Sequence, residues 1–217
     1  MYKTVVFDLD GTLLNTLTDL ADAGNRLCRK YGWPTHERQA YRYFVGNGIP
    51  KLVERLAPAD QRTPAVLEAA LADFKRDYGQ HLRDTTAPYP GIPEMLAKLK
   101  ANDVQLAVFS NKADALAKEV VKDYFGTQYF TIVRGQMTGV APKPAAEGTN
   151  ALLQALHADP ASTLYVGDSN VDVETAHNAN LPCCGAVWGF RTREELNAAG
   201  AEYLAENSDE LYDVIMK

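Results

Sequence analysis

Apolar residues are grouped along this chain with two different periods, and the change between them divides it. Residues 3–9 are rich in valine and phenylalanine and too short for a helix, so they read as a buried strand that ends at Asp8. From Asn15 onward Leu17, Leu20, Ala21, Gly24, Leu27, Cys28 and Tyr31 recur at helical spacing, and Gly32 and Pro34 stop them. Thr35 reads as the N-cap of a second helix, Gly46-Asn47-Gly48 as a turn, and Thr63-Pro64 as the opening of a third helix. The apolar face of that helix is Val66, Leu67, Ala70, Leu71, Phe74 and Tyr78. Residues 16–83 are therefore expected to be helical throughout. Pro88, Pro90 and Gly91 then form a stiff, turn-rich boundary.

Beyond that boundary helical and strand patterns alternate. Helices are expected near 92–101, from about Asn111 to 124, at 145–157 and from about 171; strands are expected at 104–110, near 129–133, at 163–168 and near 183–188. Alternation of this kind implies right-handed βαβ units and a parallel sheet covered on both faces. The fold class is thus α/β, a doubly wound parallel sheet made from 1–14 and 88–217, with a helical domain at 15–87 spliced in after the first strand.

Composition narrows the function classes. The 217 residues are 46% hydrophobic, ample for a packed core. With 22 basic against 28 acidic residues, a net charge of −6 argues against a nucleic-acid surface. No stretch approaches the roughly 18 apolar residues of a membrane span, and Asp8 and Asp10 interrupt the N-terminal run where a signal peptide would be continuous. A cytoplasmic protein without membrane partners is expected. Cys28, Cys183 and Cys184 suit neither a disulfide framework nor zinc, and read as reduced structural thiols. Oligomeric state, monomer or dimer, stays open.

In open α/β sheets ligands bind beyond the carboxyl ends of the strands, where this chain places Asp8, Ser110 and Asp168. Asp8 and Asp10 sit two residues apart, so on extended backbone they project to one side about 6–7 Å apart. A phosphoryl group fits between them, one carboxylate attacking phosphorus and the other passing a proton to the departing oxygen. Asp168 and Asp172 add two more carboxylates across a strand-to-helix turn. Four clustered negative charges call for a hard divalent cation such as magnesium. Ser110 and the N–H groups of a helix starting near Asn111 would make an anion site. Lys143, between prolines and ahead of a helix, opposes the helix dipole, and charge neutralisation in phosphoryl transfer would account for it.

Bland alternatives exist for each feature singly. Asp-x-Asp-Gly could be an Asx turn, Gly167-Asp168-Ser169 or Ser110 a helix cap, and Lys143 a solvated lysine. Joint placement at strand ends favours the chemical reading. An EF-hand fails because Gly11 is misplaced and no helix precedes it. The segment 46–51, GNGIPK, lacks the preceding strand and the ending of a phosphate loop. His36, His81, His157 and His177 are scattered through the helical stretches and read as surface or packing residues.

Taken together, the residues resemble the haloacid dehalogenase superfamily across nearly the whole chain. DLDGT (8–12) matches its first motif, Ser110 the second, Lys143 the third and GDSNVD (167–172) the fourth; the insert at 16–83 matches the family's cap. VGNG (45–48) and WGFR (188–191) resemble the phosphoglycolate phosphatase branch. The resemblance implies a Rossmann-like core with a helical cap, and a magnesium-dependent phosphatase acting on a small phosphomonoester, 2-phosphoglycolate first among them. It implies Asp8 as the nucleophile forming an aspartyl-phosphate and Asp10 as the acid and base. Magnesium would be held by the side chains of Asp8 and Asp168 and the backbone carbonyl of Asp10, with Asp172 supporting directly or through water. Ser110 and Lys143 would grip the phosphoryl group, Asn111 would join them in binding the phosphate, and Gly11 and Thr12 would shape the turn with N–H groups near the phosphate. Asn15, where many relatives carry Asp, and KPAAEG, which lacks a further proline, depart from the pattern. A sugar-phosphate mutase resembling β-phosphoglucomutase shares Asp8 and Asp10 and is the nearest rival. A dehalogenase would need neither Asp10 nor magnesium, and a non-catalytic phosphate- or protein-binding module would leave the reactive set without a role.

Overall fold

The structure is a computed structural model describing residues 1–217. The chain divides into two compact units, Met1–Leu14 with Pro88–Lys217, and Asn15–Ala87. The first begins with β1 (Thr4–Phe7), whose four residues are all buried because apolar layers cover both sheet faces. Two-residue strands β2 (Leu14–Asn15) and β3 (Ala87–Pro88) pair where the chain leaves for the insert and returns.

Four helices build the insert: α1 (Leu17–Tyr31), α2 (Arg38–Phe44), α3 (Ile49–Leu56) and α4 (Pro64–Gln80). The α1 stripe of Leu20, Ala21, Leu27 and Cys28 is buried, and Gly32 ends the helix at φ 68°, its N–H donating to Arg29 O. Helix α4 opens as its sequence implies, with the Thr63 hydroxyl accepting from Val66 N and Pro64 at the first position. Thr35 is not the cap of α2; Glu37 occupies that place. Asn25 explains the delay. Its side chain accepts from His36 N at 2.9 Å and donates to His36 O at 2.9 Å, holding the chain extended before the helix starts.

In the larger unit α5 (Ile92–Ala101) leads to β4 (Gln105–Ala113), α6 (Asp114–Phe125), β5 (Phe130–Gln136), α7 (Ala146–Leu156), β6 (Thr163–Gly167), α8 (Asn170–Asn178) and β7 (Cys183–Ala186). The chain closes with α9 (Arg193–Ala199), β8 (Tyr203–Ala205) and α10 (Ser208–Met216), elements beyond the 183–188 strand at which the sequence reading stops. Strand order is β5-β4-β1-β6-β7-β8, and every pairing is parallel. One core layer joins Val6, Ala107, Phe109 and Tyr165 to Leu152, Leu156, Val173 and Ala176 of α7 and α8.

Two further sequence expectations are corrected. The helix expected from Asn111 begins at Asp114, because residues 110–112 are drawn into buried polar contacts as strand and the Asp114 carboxylate accepts from Gly135 N at 3.0 Å. Only His177 lies within a helix; His157 and His81 terminate α7 and α4, and His36 sits in the extended segment before α2. The three cysteines are free and buried.

Candidate active site

Successive strands extend the sheet from β1 through β4 to β5, and then in the other direction from β6 through β7 to β8. The reversal falls between β1 and β6, the place where doubly wound sheets open a crevice for ligands. Phe7 stands opposite both Val108 and Val166, so the residues just beyond it on three neighbouring strands emerge at one level. Those residues are Asp8, Ser110 and Asp168, all buried.

Lys143 is the hub. Its Nζ lies 2.9 Å from Asp8 Oδ1 and 2.7 Å from Asp172 Oδ1, and donates to Phe109 O at 3.3 Å and the Tyr165 hydroxyl at 3.2 Å. Burial alone would push this ammonium's pKa down, but the charges of Asp172 and Asp8 outweigh it and hold the pKa well above the usual lysine value. Asn111 secures the backbone behind it: Lys143 N donates to Asn111 Oδ1 at 2.8 Å, and Asn111 Nδ2 donates to Lys143 O at 3.2 Å. The Asn111 side-chain amide is thus bonded to the Lys143 loop.

Asp168 is clamped from two sides. Its Oδ1 accepts from the Thr12 hydroxyl at 3.1 Å and its Oδ2 from Phe190 N at 2.7 Å. Only glycine fits beside it. A Cβ on Gly11, where φ is +96°, would come within 2.3 Å of Asp168 Oδ2, and one on Gly189 within 2.2 Å of Asp168 Cβ. Asp172 completes the capping box of α8 with the N-cap Ser169, its Oδ2 accepting from Ser169 N at 3.1 Å and Ser169 Oγ at 2.7 Å, while Oδ1 faces Lys143.

Gly11 and Thr12 differ from expectation in one respect. Their N–H groups donate to Leu14 O and Leu9 O inside the turn, and what they give the site is the turn itself and the hydroxyl on Asp168. Ser110 Oγ accepts from Lys112 N at 3.3 Å and keeps its own proton to donate. Asp10 is not in the cluster formed by the other three aspartates; its oxygens lie 3.1 and 3.3 Å from Lys112 Nζ. Lys112 was missed from sequence, since a lysine at the start of an expected helix reads as a solvated one. Its side chain is only 3% exposed.

One carboxylate oxygen from each of Asp8, Asp168 and Asp172 lies within 4.8 Å of the others. Three buried carboxylates are gathered beside one ammonium, and Asp8 and Asp168 respond to the imbalance. Burial, opposed by Lys143 and reinforced by Asp172, pushes Asp8 up to about 7; burial and the charges of Asp172 and Asp8 raise Asp168 well above the carboxylate range. A hard, oxygen-seeking divalent cation fits this donor set and would relieve the repulsion.

The sequence matches the family described as haloacid dehalogenase-like hydrolase over residues 5–186, and the chain belongs to that family. Within it, the chain is similar to phosphoglycolate phosphatases: 31% identical over 216 residues to the one from Chromobacterium violaceum, covering 98% of this chain and 96% of that protein. The enzyme of that name from Neisseria meningitidis is 32% identical over 191 residues, 87% of this chain and 81% of its own. A crystal structure from Lactobacillus delbrueckii subsp. bulgaricus, provisionally named phosphoglycolate phosphatase, superposes with a TM-score of 0.93 at 28% identity, covering 99% and 98% of the two chains. CbbY from Rhodobacter sphaeroides, solved with phosphate, shares the fold at a TM-score of 0.80 and 23% identity over 97% and 96%.

Proposed function

We propose that this phosphoric monoester hydrolase cleaves 2-phosphoglycolate through a phosphorylated Asp8, with Asp10 moving the protons. The observation that carries the reading is the Lys143 ammonium bridging Asp8 and Asp172 beyond the end of β1, because it sets a fixed positive charge directly beside a buried carboxylate oxygen. The phosphoglycolate phosphatase names of the relatives support the substrate.

An Asp8 oxygen attacks phosphorus and the bond to the ester oxygen breaks, while Asp10 donates a proton to that oxygen as it leaves as glycolate. The Asp10 carboxylate then takes a proton from water, whose oxygen attacks the same phosphorus; phosphate leaves and Asp8 is regenerated. Lys143 neutralises charge on the transferring group while steadying Asp8, and the Ser110 hydroxyl donates to a phosphoryl oxygen. Asp172 holds Lys143 in register, and Thr12 and Phe190 N–H orient Asp168. Magnesium would be held by Asp8, Asp168 and the Asp10 carbonyl, with Asp172 behind them, and when bound supplies charge neutralisation for the phosphoryl oxygens. Residues 15–87 act as the cap, residues 1–14 and 88–217 as the catalytic core. No helix is long and apolar enough to cross a membrane, and three free, buried thiols support a cytoplasmic setting.

Phosphate release from a panel of phosphomonoesters, 2-phosphoglycolate included, tests the reading. Turnover efficiency should be highest on 2-phosphoglycolate and abolished by Asp8→Asn; equal release by that variant would remove Asp8 from the mechanism, and a different preferred ester would replace the substrate.

A further inference from the structure

We propose that Lys112 is the positioning residue for Asp10, fixing the carboxyl group in the one orientation from which it can serve the leaving oxygen. The inference rests on the reading of Asp10 as proton carrier. It is carried by the buried Lys112–Asp10 ion pair.

An ammonium that is 97% shielded has to be compensated by the groups around it, and its Nζ sits almost equally far, 3.1 and 3.3 Å, from both oxygens of Asp10. Contact with both oxygens restrains rotation of the carboxyl group as well as its position. The backbone is arranged to deliver this contact. Strand β4 runs three residues past Ser110, with an irregularity in its pairing to β5 between Phe109 and Ala113, before α6 begins. Within that stretch Lys112 N donates to Ser110 Oγ, and the Asn111 side chain binds the Lys143 backbone. Three consecutive residues therefore serve three different parts of the site: a phosphate donor, the Lys143 loop and Asp10. Asp10 itself follows β1 by three residues in a turn, where it is partly open to solvent and needs an outside restraint to hold one orientation.

A proton donor held loosely is a poor one, and misplacement by about 1 Å can cost about a hundredfold in rate. The loss should depend on how much the leaving group needs the proton. Glycolate departs as an alkoxide and needs it; p-nitrophenolate is stable without it. Lys112→Met should therefore lower kcat on 2-phosphoglycolate by roughly tenfold to a hundredfold with KM little changed, lower kcat on p-nitrophenyl phosphate much less, and Lys112→Arg should restore much of the lost rate.

Steady-state kinetics on both esters with magnesium present, for the parent, Lys112→Met, Lys112→Arg, Asp10→Asn and the Lys112→Met/Asp10→Asn pair, decide the matter, with melting temperatures confirming folded protein. Non-additivity in the double variant, which should be no slower than Asp10→Asn alone, supports positioning and remains readable where Lys112→Met by itself folds poorly. Equal loss on the two esters, or a rise in KM with kcat intact, overturns the proposal; the latter outcome would make Lys112 a substrate-binding group. Were Asp10→Asn itself blind to the leaving group, the role of Asp10 would fall first, and that result is separable from failure at Lys112 alone.

Discussion

Asp172 Oδ1 lies 2.7 Å from the Lys143 ammonium, and both side chains are only 1% exposed. The same carboxylate closes the first turn of α8 through Ser169, so one side chain serves both the helix start and the charge at the site. Removing it leaves Lys143 with Asp8 as its only carboxylate neighbour in a dry setting. Asp172→Ala should lower unfolding stability by about 3–5 kcal/mol, the range for breaking a buried ion pair, with urea titration at constant m-value as the check. On the proposed mechanism turnover should fall as well, since Lys143 would then be drawn wholly onto Asp8.

Asp19 does comparable work in the insert. It sits in the first turn of α1, and its two oxygens accept four hydrogen bonds, from the backbone N–H and hydroxyl of Thr85 and of Thr86, at 2.5–2.9 Å. This ties the returning segment to the helix that began the insert. Asp19→Ala would strand buried donors and should cost about 2–3 kcal/mol or more. Amide hydrogen exchange at residues 85–87 should accelerate well beyond that at α4; unchanged protection there would show that the segment is held by other contacts.

Asp73, also in the insert, links pH to stability. Hydrogen bonds from Lys30 at 2.6 Å and Tyr31 at 2.8 Å, with Arg76 beside them, hold its carboxyl down at about 2. A carboxyl depressed in the folded state contributes stability that is full above the ordinary carboxylate pKa near 4 and is lost as pH falls toward 2. The urea midpoint should therefore drop between pH 5 and pH 2.5 by more in the parent than in Asp73→Asn. Equal drops would mean that the acid sensitivity comes from other carboxylates.

How much of this was legible beforehand follows from the range of the forces involved. The buried strand Val5–Phe7, the Gly32 stop and the Thr63-Pro64 start are set by neighbours a few residues away, and all three were readable. Asp8, Ser110 and Asp168 could be singled out because a doubly wound pattern says which strand ends meet, and Lys143 because a cation between prolines ahead of a helix opposes the helix dipole. What the Thr12 hydroxyl does could not, because its partner Asp168 is 156 positions distant. Lys112 was hidden for the same reason: nothing within 110–114 announces that its partner is Asp10. The late start of α2 depends on Asn25, eleven residues upstream of the His36 it binds, and so overrode the local signal at Thr35. The pattern Thr192-x-x-Glu195, which caps α9, is local and therefore legible in the sequence.

Gly11 tests whether the turn after β1 tolerates any side chain. Its φ of +96° and the 2.3 Å approach of a would-be Cβ to Asp168 Oδ2 penalise alanine twice. Gly11→Ala should cost at least about 1–2 kcal/mol from backbone conformation alone. It should also push Asp168 off its bonds to Thr12 and Phe190 N–H, so that titration calorimetry with magnesium shows weakened or absent binding.

Repulsion among Asp8, Asp168 and Asp172 yields a prediction with opposite signs in two conditions. In chelator Lys143 compensates Asp8 and Asp172, and folding forces Asp8 and Asp168 toward protonation at a free-energy cost. Asp168→Asn removes one of the charges while keeping a similar shape, so its melting temperature in chelator should equal or exceed that of the parent. Adding magnesium should raise the parent by mass action, about 2.7 kcal/mol at a hundredfold excess over the dissociation constant, and should hardly move the variant. Differential scanning calorimetry of both proteins with and without magnesium reads all four values. A parent indifferent to magnesium would refute the cation site, while a variant that responds like the parent would refute Asp168 as one of its ligands.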